Sequence, residues 1–256
     1  MIVASALGGV PDVGSGDDLA ALLCAAAAAS ASASASAMSL RAGDVLVVAH
    51  KVVSKAEGRT VALAAVTPCE RALALAAEHG KDPRLVEVIL GESAEIVRSR
   101  PGVLICRTRH GFVCANAGVD ASNAPAGEVV LLPADPDASA RALRARLREL
   151  TGIAPAIVVA DSFGRAWRVG QCDVAIGIAG LAAVEDWRGR ADAAGRTLEA
   201  TVIAVADEAA AAADLARRKD SREPAVLVRG LERHVSAADG PGAAALVRAR
   251  DEDLFL

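Results

Sequence analysis

The sequence predicts an α+β fold with mixed sheets and flanking helices, arranged as two interleaved lobes. Apolar runs of strand length alternate with helical patterns, but without the rhythm of about 30 residues that repeated βαβ crossovers produce. Gly14-Ser15-Gly16 begins a glycine-rich loop, yet the third glycine of the dinucleotide fingerprint is missing. The P-loop pattern G-x-x-x-x-G-K-[ST] occurs nowhere. These observations exclude a standard Rossmann fold and a P-loop enzyme.

The first half of the chain combines short strands with two helices. Apolar runs bounded by turn residues predict strands at Ile2–Leu7, Val45–Ala49, Val103–Cys106 and Val129–Leu132, with a further apolar run at Thr60–Val66. One helix is predicted to begin at Asp17-Asp18, where carboxylates suit the positive end of the helix dipole, and another spans Pro68 to about Glu78. The segment after Ala49 is assigned to neither a helix nor a strand.

A low-complexity segment raises the question of a membrane span. Leu19–Met38 is long and largely apolar, but its second half, Ser30–Ala37, alternates Ser with Ala, which transfer weakly to hydrocarbon. We therefore expect a soluble helix that runs into a loop extension without function, and no membrane association. The first basic residue is Arg41, so no basic segment of a signal peptide precedes the apolar stretch.

The second half of the chain contains the clearest helix. It is predicted to begin at Pro136-Asp137 and to end at Gly152, because Leu143, Leu147 and Leu150 recur at helical spacing. The remaining elements are a strand at Ala156–Ala160 that ends in an acidic loop, apolar runs at Val174–Leu181 and Thr201–Ala206, a helix from Asp207-Glu208 to Arg217-Arg218-Lys219, and a last strand at Ala225–Val228.

The composition excludes several classes of protein. An apolar content of 53% with a net charge of −4 excludes a disordered chain. The mildly acidic balance and the 2% of aromatic residues argue against nucleic acid as a partner, which requires a basic face and stacking platforms. The 5 cysteines are odd in number and contain no C-x-x-C pair, which predicts reduced thiols and a cytoplasmic location.

Two lysines are conspicuous against this background. Of the 28 basic residues only Lys51, Lys55, Lys81 and Lys219 are lysines. A compact ammonium group contacts a phosphate oxygen as a point charge, whereas a guanidinium group needs room for its planar fork. Lys55 is therefore a candidate phosphate contact. The alternative, a solvated lysine beside a strand, stays open at this point.

Two acidic segments are candidate metal ligands. Asp120 lies in a turn-rich run, and Asp161 follows an apolar strand and is itself followed by the hydroxyl of Ser162. Oxygen ligands of this kind suit Mg²⁺ or Mn²⁺, which commonly bridge nucleotide phosphates. Each carboxylate could instead form an Asx turn or pair with Arg165 or Arg168.

Three long motifs then occur together in one order: His50–Arg59 (HKVVSKAEGR), Ala117–Asn123 (AGVDASN) and Asp161–Arg168 (DSFGRAWR). Val205–Glu208 and Val228–Gly230 follow. From about Val10 to about Gly230, this set closely resembles the coenzyme F420-0:L-glutamate ligase family, also called F420:γ-glutamyl ligases.

The resemblance implies a GTP-dependent enzyme that adds L-glutamate to the deazaflavin precursor F420-0 in coenzyme F420 biosynthesis. It implies one ligase unit over residues 1–256, a homodimer, and a need for Mg²⁺ or Mn²⁺ with K⁺ as a helper. By motif position, the residues implied to contact GTP are Val10, Pro11, Asp12, Val13, His50, Lys55 and Asn123. Those implied to bind metal are Asp120, Asp161 and Ser162, and the implied catalytic residues are Lys55, Asp120 and Asp161.

Two positions depart from the family pattern. His50 stands where relatives carry a small hydroxyl residue. Some archaeal members have a Gly-rich loop with an acidic metal ligand after the last helix, whereas this chain has Lys219-Asp220-Ser221. Either Asp220 substitutes for that ligand or the second metal is held differently.

The expected mechanism is phosphoryl transfer to the substrate carboxylate, followed by attack of the glutamate amine on the acyl phosphate. A metal-dependent phosphohydrolase and a catalytically silent GTP-binding protein are the two alternatives. Arg165 and Arg168 are candidates for holding substrate carboxylates or for structural ion pairs.

Overall fold

The computed structural model describes residues 1–33 and 39–253. Its helices are α1 (Leu19–Ala33), α2 (His50–Ala56), α3 (Glu70–His79), α4 (Pro83–Glu92), α5 (Pro136–Thr151) and α6 (Val205–Ala216). Its strands are β1 (Val3–Leu7), β2 (Val45–Ala49), β3 (Thr60–Ala62), β4 (Ser93–Arg100), β5 (Val103–Thr108), β6 (Val113–Ala115), β7 (Glu128–Val130), β8 (Ala156–Arg165), β9 (Arg168–Ala179), β10 (Glu185–Asp186), β11 (Val202–Ile203) and β12 (Ala225–Arg229).

The main sheet has five strands in the order β1-β12-β2-β8-β9. β2 and β8 run parallel, with Val45 opposite Ala156 and Ala49 opposite Ala160, and the other neighbours are antiparallel. The parallel pairing therefore stops at Ala49 and Ala160, although β8 itself continues to Arg165. The residues that follow Ala49 and Ala160 are consequently brought side by side.

Helices cover both faces of this sheet, which explains why its central strands are apolar throughout. Successive strand residues point to opposite faces. Leu46 belongs to a core formed with Leu23 of α1 and Leu147 of α5, whereas Val47 belongs to a core on the other face, formed with alanines of α6 such as Ala210. Strands buried on both sides read as continuous apolar runs.

A second lobe is inserted between α2 and α5. It contains the sheets β3-β7 and β4-β5-β6 together with α3 and α4, and it has its own core around Val86, Ile89, Leu104 and Val129. The chain thus leaves the first lobe after α2 and returns to it at α5. The α+β class with mixed sheets and flanking helices is confirmed.

Two segments that carry candidate site residues have conformations that the sequence patterns do not predict. The segment after Ala49, for which no element is predicted, is helix α2, in which Val53 and Ser54 are buried. β-branched residues have low helix propensity, so burial against neighbouring elements decides this conformation. Residues 161–165 continue strand β8, because β9 pairs with them as far as Arg165 opposite Arg168, and do not form a loop.

Other predictions are confirmed or extended. Helix α5 begins after Asp135, whose carboxylate caps the Ala138 amide, and ends at Gly152 in the left-handed conformation, but Leu150 is exposed and does not join the core. Helix α4 and strand β4 were not predicted. Helix α1 includes the first four residues of the Ser30–Ala37 tract, and residues 34–37 lie outside the described residues. Over the described ranges, the helices lack the combined length and apolarity that crossing a membrane requires.

We expect Gly177→Ala to destabilise the protein by about 3 kcal/mol, at the upper end of the usual cost of overpacking. An added Cβ would lie 2.2 Å from the carbonyl oxygen of Pro136, so strand β9 and the start of α5 would have to separate. Thermal unfolding measures the effect. Gly91→Ala is the matched control, because a Cβ there meets nothing within 4 Å and alanine favours the helix. Equal unfolding temperatures for the two variants would contradict this packing.

Candidate functional site

A cleft of about 790 Å³ opens where β2 ends and its parallel pairing with β8 stops. In open parallel α/β sheets, ligands bind outside the carboxyl ends of the strands, and the one parallel pair of the main sheet, β2 and β8, stops pairing at this cleft. The cleft is lined by the segment Val10–Val13 after β1, helix α2, the loop containing Asp120, residues 160–162 of β8 with Gln171 of β9, and the segment 217–224 after α6. The motifs that lie far apart in the sequence therefore meet in one place.

The parallel register brings His50 and Asp161 together. Ala49 of β2 lies opposite Ala160 of β8. His50, the first residue of α2, follows Ala49, and Asp161 follows Ala160. Nε2 of His50 lies 3.2 Å from Oδ1 of Asp161, and the His50 side chain is 2% exposed. The imidazole ring is not oriented for a hydrogen bond to Asp161, so neither ring nitrogen has a hydrogen-bond partner among the described residues. His50 and Asp161 thus form the floor of the cleft.

The Asp161 carboxylate has spare acceptor capacity. Its Oδ1 accepts a hydrogen bond of 2.8 Å from the amide of Ser162. Within the part of the chain that the structure describes, Oδ2 accepts none. Among the described residues, Asp161 forms no ion pair with Arg165 or Arg168. The guanidinium of Arg165 donates a hydrogen bond to the carbonyl of Val169 instead. Neither arginine lines the cleft.

Helix α2 holds the acidic loop through two lysines. Lys51 and Lys55 are one helical turn apart and therefore project from the same face. Nζ of Lys51 lies 2.6 Å from Oδ2 of Asp120, and Nζ of Lys55 donates a hydrogen bond of 2.7 Å to the carbonyl of Asn123. The structure thus brings the candidates Lys55, Asp120 and Asn123 together. Sequence reasoning noted Lys51 for its rarity but assigned it no contact.

The electrostatic surroundings keep Asp120 ionised. Burial by itself raises the pKa of this carboxyl, but the hydrogen bond and charge of Lys51, together with hydrogen bonds from the amide and hydroxyl of Ser122, outweigh it and place the pKa below its usual range. The carboxylate is negative at neutral pH, and both of its oxygens accept hydrogen bonds from Lys51 or Ser122, so a cation bound here would share Asp120 with these donors.

Ser162 belongs to a second polar cluster that sequence reasoning did not find. Its hydroxyl donates a hydrogen bond of 2.5 Å to Oδ1 of Asp173, the residue directly opposite on β9. Asp173 is completely buried and also accepts a hydrogen bond from Arg217. Nζ of Lys219 donates to Oγ of Ser162 over 2.8 Å. The one sequence signal for Asp173 is a lone carboxylate at the start of the apolar run 174–181.

The donor chemistry fits one hard cation at the carboxylates of Asp120 and Asp161. Both residues line the main cleft and also an adjoining cleft of about 230 Å³. No group of three or more His, Cys, Asp and Glu side chains gathers into a metal-binding cluster within the described ranges. A divalent ion here would therefore complete its shell with ligand and water oxygens, as Mg²⁺ does at phosphate sites.

The segment Val10–Val13 also lines the cleft. It is anchored at its end by Val13, which is 7% exposed, and by the amide of Gly16, which donates to the carbonyl of Ala56 at the end of α2. The backbone of this segment is thereby fixed against helix α2. Every residue assigned from sequence to the nucleotide or metal lines this one cleft; their individual roles stay predictions.

Comparison with known proteins gives a consistent result. The profile of the family described as F420-0:Gamma-glutamyl ligase matches residues 9–230. The coenzyme F420:L-glutamate ligase of Methanothermobacter thermautotrophicus is 45% identical over 248 residues, which is 96% of each chain. The enzyme of the same name from Methanopyrus kandleri is 46% identical over 242 residues, covering 94% of this chain and 92% of its own. With most of the chain matched and the motifs gathered in one cleft, this protein belongs to the F420-0:γ-glutamyl ligase family.

Proposed function

We propose that the protein is a GTP-dependent ligase that joins L-glutamate to the deazaflavin precursor F420-0 through an amide bond. The observation that carries the proposal is the cleft where β2 ends beside β8, which is lined by two lysines of α2 and by the carboxylates of Asp120 and Asp161 in a chain of this family. Mixed positive and negative groups suit a nucleotide triphosphate bound with a cation. The choice of L-glutamate and of a coenzyme F420 precursor as substrates is taken from the names of the relatives.

The lysines are placed to receive phosphate groups. Lys55 projects from α2 into the cleft, and its ammonium group has only a neutral carbonyl as its hydrogen-bond partner in the described chain. A phosphate oxygen would offer that ammonium group a stronger, charge-assisted hydrogen bond. On the facing side, Arg218 and Arg222 line the same cleft and supply forked donors for the carboxylates of glutamate or of F420-0.

We assign the divalent cation, Mg²⁺ or Mn²⁺, to Asp120 and Asp161. When bound, such an ion neutralises charge on the transferred phosphoryl group. The contribution of the chain is to fix the two carboxylates: Lys51 and Ser122 orient Asp120, and the Ser162 amide orients Asp161. Catalysis then depends on positioning and fixed electrostatics, without a covalent intermediate on the enzyme.

The proposed reaction has two steps. A carboxylate oxygen of F420-0 attacks the γ-phosphorus of GTP, GDP leaves, and an acyl phosphate forms. The amine nitrogen of glutamate then attacks the acyl carbon, inorganic phosphate leaves with the bonding electrons, and the amine proton passes to solvent. Lys55 offsets the negative charge during the first step.

We expect purified protein supplied with GTP, Mn²⁺, L-glutamate and F420-0 to form a product whose mass exceeds that of F420-0 by one or more glutamyl units. Mass spectrometry reports both the activity and the number of glutamates. Release of GDP should require F420-0, and chelation of the metal by EDTA should abolish it, because the phosphoryl transfer needs the cation.

The omission controls separate the alternatives. GDP release at the full rate without F420-0 and without glutamate would contradict a ligase and support a phosphohydrolase. Tight GTP binding with no turnover under any condition would support a silent GTP-binding protein. K⁺ as a helper ion, a homodimer and a cytoplasmic location are further parts of the proposal; adding K⁺ to the assay and measuring the mass of the particle in solution test the first two.

A further inference from the structure

A lysine ammonium group sits beside Ser162, on the side of the cleft formed by the segment after α6. Nζ of Lys219 lies 2.8 Å from Oγ of Ser162, 2.9 Å from Oδ1 of Asp214 and 3.7 Å from Oδ1 of Asp173. The Lys219 side chain is 69% exposed and lines the cleft, so its charge faces any ligand bound there. Three oxygens thus surround a fixed positive charge.

The oxygens in this cluster are already engaged with protein donors. Oγ of Ser162 gives its proton to Oδ1 of Asp173 and accepts from Lys219, and Oδ2 of Asp173 accepts from Arg217. Two carboxylates, Asp173 and Asp214, meet two cations, Lys219 and Arg217. The cluster is therefore balanced in charge without an added ion. A divalent cation beside Ser162 would be repelled by the ammonium group. Both oxygens of Asp173 already accept hydrogen bonds from protein donors, and Asp220, which lines this side of the cleft, pairs with Arg218.

We propose that the ammonium group of Lys219 stands in place of a divalent cation on the Ser162 side of the cleft, so that this chain binds GTP with a single divalent ion. The inference rests on the proposed function, because it concerns the same nucleotide site. The one ion is held by Asp120 and Asp161. Lys219 supplies the remaining positive charge to the triphosphate, as a point charge tethered by Asp214 and Ser162.

The test counts manganese ions in the nucleotide complex. The full chain is dialysed to equilibrium against Mn²⁺ and a non-hydrolysable GTP analogue, and bound Mn²⁺ is measured by electron paramagnetic resonance alongside bound analogue. We expect the unmodified protein to hold one Mn²⁺ per analogue. Lys219→Glu removes the ammonium group and adds a carboxylate beside Ser162, so it should raise the ratio to two. Lys81→Glu makes the same charge change after α3, outside the cleft, and should leave the ratio at one.

Two Mn²⁺ in the unmodified protein, or a ratio of one in a folded Lys219→Glu variant, would overturn the inference while leaving GTP-dependent ligation intact. Absence of analogue binding by the unmodified protein would instead contradict the proposed function itself. Lys219→Ala covers the case in which the glutamate variant fails to fold. It should weaken analogue binding about tenfold at limiting Mn²⁺, since one charge that offsets the phosphates is lost, and unchanged affinity would overturn the inference.

Discussion

Replacement of Asp161 by Asn is expected to reduce the turnover number by about 10³-fold or more, in line with the loss of a group that holds charge at a phosphoryl-transfer site. Asn has the size of Asp and can still accept the hydrogen bond from the Ser162 amide, but it has no negative charge for a cation. The variant should therefore unfold near the temperature of the unmodified protein. Steady-state kinetics of product formation and Mn²⁺ titration in the presence of the GTP analogue measure the two effects.

Asp186→Asn is the matched control for this substitution. Asp186 is exposed, pairs with Arg188 and lies outside the cleft. Its replacement by Asn therefore makes the same change from carboxylate to amide at a position away from the candidate site. Its turnover should equal that of the unmodified protein. Turnover of Asp161→Asn within tenfold of the unmodified protein would remove Asp161 from the cation site.

The second large effect concerns stability. Asp173→Asn should lower the free energy of unfolding by about 3 kcal/mol, because removing one partner of a buried ion pair leaves the other charge uncompensated. The Asp173 side chain is fully buried and that of its partner Arg217 is 9% exposed. For a protein of this size such a loss corresponds to a decrease of roughly 6–12 °C in the unfolding temperature.

A double-mutant cycle separates the ion pair from other effects of the change. Once Arg217→Met has removed the cation, Asp173→Asn should cost much less, because no buried charge is then left unpaired. Additive losses in the double variant would contradict a coupled pair. Asp186→Asn serves again as the control, since its pair with Arg188 is exposed and should contribute little.

Much of the fold follows from local patterns. The apolar run Val45–Ala49 is a strand because both faces of the central sheet are buried, and helix α5 has its capping aspartate and its terminal glycine in the sequence. The composition also made Lys55 informative, and the position of Asp161 directly after an apolar run marked the point where the parallel pairing of β8 with β2 stops. These features depend on residues close to one another in the chain.

The conformation of other segments depends on distant residues. Helix α2 contains two adjacent valines and has no side-chain cap, and it is helical because Val53 and Ser54 are buried against other elements. Strand β8 extends past Asp161 because β9 supplies the pairing, and the side chain of Ser162 is consequently directed to Asp173. A local sequence pattern does not reveal whether a distant strand will pair with a segment and so extend it as a strand.

The sequence by itself determined the family, the α+β class and the residue types of the site, because long motifs and strand-end carboxylates are visible without a structure. Only the tertiary structure decided how those residues are paired. The parallel register of β2 and β8 places His50 against Asp161, and the hairpin of β8 and β9 places Ser162 among Asp173 and Lys219. These contacts join segments far apart in the chain, and their distances are set by sheet register and helix packing, which no local sequence pattern specifies.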